Sequence, residues 1–280
     1  METAGRQEPR ALQLLNPSRC ILARQITFRG RSVLRVIILA GGYAKRLYPL
    51  TENRAKPLIS VAGKPMIERV LGSLAPVEDI ESIYIVTNDK FHTDFRNWLD
   101  AYCLNNGHFP IDIINNESSE VECQIGAIGN LHLVLARENI DDDIIVVAAD
   151  NLFTESLEGF ATFSRQKNAP VVGVYTMDTL HDVQKYGSVQ LDDSGMITYF
   201  EEKPVIPKSL TIGIALYYYP KSSLSLIKQY IAERNNSEEP GRLVEWMYKR
   251  TPFYSWSLPG IWCDVGSIEK LEEANRIFAE

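Results

Sequence analysis

Gly41-Gly42, Arg46, Thr51 and Lys56-Pro57 fall within one short stretch of the chain. Paired glycines after a strand let backbone N–H groups approach an anion closely. Arg46 offers a planar fork for phosphate oxygens, and Lys56 adds a point charge a few residues later. Together they form a cradle suited to a triphosphate. The stretch lacks the GxxxxGK[ST] of a Walker loop and the GxGxxG of a dinucleotide fold. His92, His108, His132 and His181 are scattered, which speaks against a histidine-based zinc site. Cys20, Cys103, Cys123 and Cys263 form no CxxC pair, the expectation for reduced thiols in a cytoplasmic protein.

The elements that must position these residues follow from hydrophobic spacing. Val36 to Ala40 is a continuous apolar run ending at the glycine pair, the pattern of a buried parallel strand. Ile144 to Ala149 repeats that pattern and stops at Asp150. Further strands are expected at Ile83–Val86, Ile111–Ile114 and Val171–Met177. Helices are expected from Pro65, over Phe91–Leu104 with its i, i+3, i+4, i+7 apolar face, and over Gly126–Arg137 and Leu157–Lys167. This alternation implies an α/β fold with a doubly wound, mostly parallel sheet. After Met177 the rhythm changes to a hairpin around Gly195, a strand over Thr211–Tyr219 and C-terminal helices. Asp141-Asp142-Asp143 reads as a solvated turn. Ligands in such sheets bind beyond the carboxyl ends of the strands, which points to Gly41-Gly42 and Asp150.

The stretch LAGGYAKRLYPLTENRAKPLISVAGKPM resembles the opening motif of the sugar-phosphate nucleotidyltransferases, LAGGxGTRLxPLT…KPxxPVxxKPM. The likeness is greatest to those similar to glucose-1-phosphate thymidylyltransferase. Ala44 stands where that motif has Gly, and Lys45 where it has Thr. Further matches are Gly126 in IGAIG, Asp150 in AADN where the family has GDN, Tyr186-Gly187, Glu201-Glu202-Lys203-Pro204, Gly213 and Trp262-Cys263-Asp264-Val265-Gly266. The resemblance spans about residues 35–279. It implies a Rossmann-like nucleotidyltransferase fold with an antiparallel sugar-binding subregion.

The resemblance also implies roles. Arg46, Lys56 and Lys203 would be catalytic. Leu39, Gly41, Gly42 and Gly126 would bind the nucleotide, with Gln124 a base-reading candidate. Tyr186, Gly187, Glu202, Lys203 and Gly213 would bind the sugar phosphate. Asp150 and Asp264 lie in apolar company, where an unpaired charge is costly, and suit a Mg²⁺ that takes its other oxygens from substrate. The implied reaction joins an NTP, dTTP or UTP, to a hexose 1-phosphate, giving an NDP-sugar and pyrophosphate. The attacking phosphate is already an anion and needs no general base. The alternative is a protein of the same fold that senses nucleotide or NDP-sugar without turnover.

Composition sets the outer limits. The 280 residues are 45% hydrophobic, enough for a large core and against a disordered chain. A net charge of −7 argues against a nucleic-acid partner bound through a general basic surface. The longest apolar stretch is far below the roughly 20 residues that span a bilayer, so no membrane partner is expected. Residues 1–33 are Arg-rich without hydrophobic periodicity and are expected to be a disordered basic extension. The remainder, 34–280, is expected to be one nucleotidyltransferase domain, with a nucleotide half over 34–177 and a sugar-phosphate half over 178–280. Apolar residues on the last helices leave a homo-oligomer open.

Overall fold

The computed structural model describes residues 33–279 apart from 107, 108, 121 and 122. Of the stretch expected to be a disordered extension, all but its last position lies outside the described residues. The chain runs through β1 (Leu34–Leu39), β2 (Ser60–Val61), β3 (Lys64–Pro65), α1 (Met66–Leu74), β4 (Ile80–Thr87), α2 (Asp89–Asn106) and β5 (Ile111–Asn115). It continues through α3 (Gly126–Arg137), β6 (Asp143–Ala148), β7 (Asn151–Phe153), α4 (Glu158–Lys167), β8 (Val171–Thr176) and α5 (Leu180–Val183). The remaining elements are β9 (Gly187–Leu191), β10 (Ile197–Glu202), β11 (Thr211–Tyr219), α6 (Leu224–Ala232), α7 (Gly241–Met247), β12 (Tyr254–Ser257), β13 (Trp262–Asp264) and α8 (Ile268–Ile277).

Strands β6, β1, β4 and β5 lie side by side in that order, all parallel. Strand β11 joins the open edge of β6 antiparallel, and β9 and β10 extend it as an antiparallel arm. Strand β8 also pairs antiparallel with β11, and β12 runs parallel beside β8. The fold is therefore the α/β sheet with a parallel core and an antiparallel region that the sequence implies. β1 is buried on both faces, which is why its apolar run is continuous rather than alternating. Val36 and Ile38 pack with Val70, Phe95 and Phe160 of α1, α2 and α4. Ile37 faces the other way, toward Leu131 of α3 and Ile227 of α6.

From β1 the chain crosses to β4 on one side, and β6 returns to its other side. The reversal creates a crevice beyond the carboxyl ends of β1 and β6, whose last residues Leu39 and Ala148 are in register.

Several expectations change in detail. Helix α1 starts at Met66 because Lys64-Pro65 pairs with Ser60-Val61 as a short ribbon. At the entry to β6, Asp142 and Asp143 are tied down rather than solvated, while Asp141 stays exposed. Asp142 takes Arg35 Nε at 2.7 Å, Asp143 accepts the Tyr218 hydroxyl at 2.8 Å, and Asp141 pairs with Lys221. Cys123 and Cys263 are free, but Cys103 is disulfide-bonded, against the expectation of four reduced thiols. Among the described residues no helix is long and apolar enough to cross a membrane.

Candidate active site

The crevice opens into a cavity of about 770 Å³ lined by Leu39, Gly41, Gly42 and Gly126 together with Tyr186, Gly187, Glu202, Lys203 and Gly213. Asp150 and Asp264 line it as well. The residues expected to bind nucleotide, metal and sugar phosphate thus share one hollow. Arg46 and Lys56 are not among its lining residues.

At the carboxyl end of β1, Gly41 is glycine because of a close approach. A β-carbon there would sit 3.0 Å from Asn130 Nδ2 and 3.3 Å from Asn116 Nδ2. Its carbonyl accepts from Asn88 Nδ2 at 3.1 Å, which pins the turn to the end of β4. Gly42 faces open space, leaving room for a ligand. Ala44 sits in the left-handed region, φ 47° and ψ 44°, where the family motif has glycine. Its carbonyl is held by the Thr51 hydroxyl at 2.8 Å. A β-carbon costs roughly 1–2 kcal/mol in that conformation, and glycine's extra unfolded-state entropy returns part of it. Ala44→Gly is therefore expected to raise unfolding free energy by about 0.5–1 kcal/mol in a urea titration. A loss of stability would show that the loop has no strain to relieve.

The two acids meet through a short two-stranded unit. β7 and β13 pair antiparallel, with Asn151 opposite Asp264, and Val265 N donates to the Asp150 carbonyl at 3.2 Å. Trp262 Nε1 locks the unit by donating to Asn151 Oδ1 at 2.8 Å. Lys56 is buried behind the cavity, its ammonium 2.6 Å from Asp150 Oδ2. Asn151 Nδ2 donates to the other Asp150 oxygen at 3.1 Å. Burial alone would raise the Asp150 carboxyl, but Lys56 and Asn151 outweigh it and hold it low. Asp264 moves the other way: burial raises it, the Asp150 charge adds to that, and Lys56, the Tyr186 hydroxyl and Arg46 only partly oppose. Arg46 is exposed, with Nη2 3.7 Å from where a Gly266 β-carbon would lie, on the same side as Asp264 Oδ2.

A divalent cation fits this donor set. Asp264 carries a charge its surroundings disfavour, beside a second carboxylate, and both groups are hard oxygen donors. Among the described residues no cluster of three metal-ligating side chains exists. An ion there would draw its remaining oxygens from substrate and water, the habit of Mg²⁺.

Tyr186, also lining the cavity, packs its ring edge-on against Trp262, centroids 5.2 Å apart, and donates to Asp264 Oδ2 at 3.2 Å. Gly187 and Gly213 are paired across β9 and β11, and a β-carbon on either would strike the Phe200 ring. Lys203 has a left-handed backbone, φ 50°, and its ammonium is 2.8 Å from Glu239 Oε1; Arg242 takes the other oxygen of Glu239 at 2.8 Å. Sequence reasoning did not find Glu239, Asn116 or Asn130, which carry no motif.

Burial pushes the Glu202 carboxyl up to about 7, with Lys203 opposing and the Glu239 charge adding. A carboxyl raised above its unfolded value of 4.5 favours the fold fully below that value and loses the contribution as pH rises through about 7. Between pH 8 and pH 6 it should add about 1 kcal/mol of stability. Glu202→Gln should remove that increment from the pH profile of thermal unfolding. An unchanged profile would mean that Glu202 titrates in its ordinary range.

A profile of the nucleotidyl transferase family matches residues 35–280, nearly the whole described chain. The chain belongs to that family. It is 30% identical over 245 residues to the bifunctional protein GlmU of Methanocaldococcus jannaschii, covering 87% of this chain and 54% of that protein. It is 24% identical over 250 residues to the glucose-1-phosphate thymidylyltransferase of Streptomyces antibioticus, covering 88% of this chain and 67% of that one. A crystal structure from Bacillus anthracis, described as a candidate glucose-1-phosphate thymidylyltransferase in complex with a sucrose, superposes with a TM-score of 0.75. That pair shares 26% identity over 89% of this chain and 96% of the other. The chain spans about half the length of the first GlmU relatives it matches.

Proposed function

We propose that this nucleotidyl transferase joins an NTP to a hexose 1-phosphate, releasing pyrophosphate. An oxygen of the sugar phosphate attacks the α-phosphorus, and the bond between that phosphorus and the oxygen leading to the β-phosphate breaks. The leaving electron pair goes to pyrophosphate, and no proton has to move. The observation that carries the reading is the single cavity lined by the Gly41 turn, Asp150, Asp264 and the Glu202-Lys203 pair.

The obstacle is repulsion between two anions, several kcal/mol at 4 Å with an effective dielectric near 20. Gly41 and Gly42 offer backbone dipoles to the triphosphate. Lys56 keeps Asp150 ionised and oriented through its 2.6 Å contact. Arg46, exposed beside Asp264, meets the departing pyrophosphate. Lys203 exchanges Glu239 for the sugar's phosphate and holds the attacking oxygen in line, while Glu202 and Tyr186 bound the sugar. A Mg²⁺ held by Asp150 and Asp264 would supply charge neutralisation between the two substrates. Catalysis in this form is positioning plus electrostatic stabilisation. The reading includes a cytoplasmic location, where NTPs are made.

The test is pyrophosphate release from dTTP or UTP with glucose 1-phosphate and Mg²⁺. Release that requires both substrates supports the transfer. Tight binding of nucleotide with no release from any NTP and hexose 1-phosphate pair would favour a sensing protein.

A further inference from the structure

Glu239 holds two cations that differ in their freedom to leave. Arg242 Nε, on the same short segment, donates to one of its oxygens at 2.8 Å. The Lys203 ammonium, from just past the end of β10, lies 2.8 Å from the other oxygen. Lys203 and Glu239 both line the cavity, whereas Arg242 is not among its lining residues. Burial raises the Glu239 carboxyl, but the hydrogen bonds from Lys203 and Arg242 outweigh it and hold it low. With Lys203 withdrawn, Arg242 still neutralises that charge. The Lys203 side chain is about half exposed, and an ion pair so open to water exchanges readily. Its ammonium is a point charge on a flexible stem, able to swing between partners within reach. The Lys203 backbone stays fixed meanwhile, its N–H donating to the Tyr186 carbonyl at 3.0 Å.

A ligand entering the cavity therefore finds Lys203 already paired with a singly charged carboxylate. At equal distance a dianion attracts the ammonium about twice as strongly as a carboxylate does. A monoanion attracts it no more strongly than Glu239, which is already in place. We propose that Glu239 is a charge-reading latch on Lys203, yielding the ammonium to a phosphate monoester and taking it back from a phosphate diester. The latch selects the hexose 1-phosphate on entry and helps to expel the NDP-sugar. The inference rests on the nucleotide-transfer reading and deepens it by giving product release a residue. The reaction itself supplies the change of charge. A phosphate monoester carries close to two negative charges near neutral pH, with a second pKa of about 6. Once one of its oxygens has bonded to the α-phosphorus, it is an inner diester with a single charge. The electron pair of the broken bond leaves with pyrophosphate, and no protein group has to change protonation for the latch to close. Glu239 is a positioning residue in this scheme, acting on the substrate only through Lys203.

Glucose 1-phosphate and its methyl phosphodiester are the decisive pair, because they share the sugar and the phosphorus and differ in charge. Each is titrated by calorimetry, with Mg²⁺ and at about pH 7.5, above the second phosphate pKa, into the wild-type protein and into Glu239→Gln. The variant keeps the shape of the side chain and an acceptor for Arg242. The wild type is expected to bind the monoester at least about tenfold more tightly than the diester, and the variant to narrow that ratio to about threefold or less by tightening the diester. UDP-glucose, whose sugar phosphate is an inner diester, is expected to bind the variant about tenfold more tightly than the wild type. A partial loss of folded protein leaves these ratios of affinity unchanged. An equal loss of affinity for all three ligands in the variant would show that Glu239 only props Lys203, and would overturn the proposal. An unchanged monoester-to-diester ratio overturns it as well. Pyrophosphate release separates the latch from the transfer reading. If the ratio narrows as expected but no NTP and hexose 1-phosphate pair is turned over, the latch stands and the transfer reading fails. If pyrophosphate is released and the ratio ignores the substitution, the transfer stands and the latch falls.

Discussion

Asp264→Asn is expected to lower turnover by about a thousandfold, the scale of losing a principal source of electrostatic stabilisation in a water-poor site. The substitution keeps the shape of the side chain and an acceptor for the Tyr186 hydroxyl. It removes only the charge. In the free protein that charge is disfavoured by burial and by Asp150, so its loss should not lower the thermal midpoint. The variant should therefore fold normally, bind Mn²⁺ more weakly in an electron paramagnetic resonance titration, and fail in the transfer step. Full activity with an unchanged metal titration would move the ion-binding role away from Asp264. A fall in activity matched by a fall in stability would reduce Asp264 to a structural part of the β7–β13 unit.

The second large effect is at Arg46. Arg46→Gln should reduce kcat about a hundredfold, the cost of one well-aimed donor to developing charge. Arg46 is exposed, so the fold should be untouched. The reverse reaction gives a sharper reading, because pyrophosphate is then a substrate and its KM should rise. Arg46→Lys should recover only part of the loss, since an ammonium lacks the planar fork that grips two oxygens. An unchanged rate in both directions would take Arg46 out of the mechanism. Loss in the forward direction alone, with normal affinity for pyrophosphate, would place it at another phosphate.

Much of the scaffold was legible because its signals are local. Helix α3, Gly126–Arg137, and strand β11, Thr211–Tyr219, have the bounds that spacing predicts. β1 announces itself by an apolar run that only a strand covered on both faces can tolerate. The candidate site was legible as motifs: the glycine turn, the two aspartates and the Glu202-Lys203 pair all border one cavity. The parts that escaped have no local signature. β7 and β13 are three residues each, too short for any period to register, yet their pairing is what carries Asp264 to Asp150. Glu239 is an unremarkable acid in a polar stretch until α7 packs against β10 and brings it to Lys203. Asn116 and Asn130 belong to a loop and a helix whose approach no spacing rule foretells.

From its residues alone, the chain determined that it would be an α/β protein with a glycine turn after its first strand. Apolar periodicity and glycine chemistry act over a few residues and need nothing distant to operate. Tertiary structure alone decided which cations remain free to meet a substrate. Lys56 is taken up by Asp150, Lys203 waits on Glu239, and Arg46 stays exposed. Charge pairing depends on distances of a few ångströms between residues far apart in the chain. Those distances exist only once the sheet has closed around its crevice.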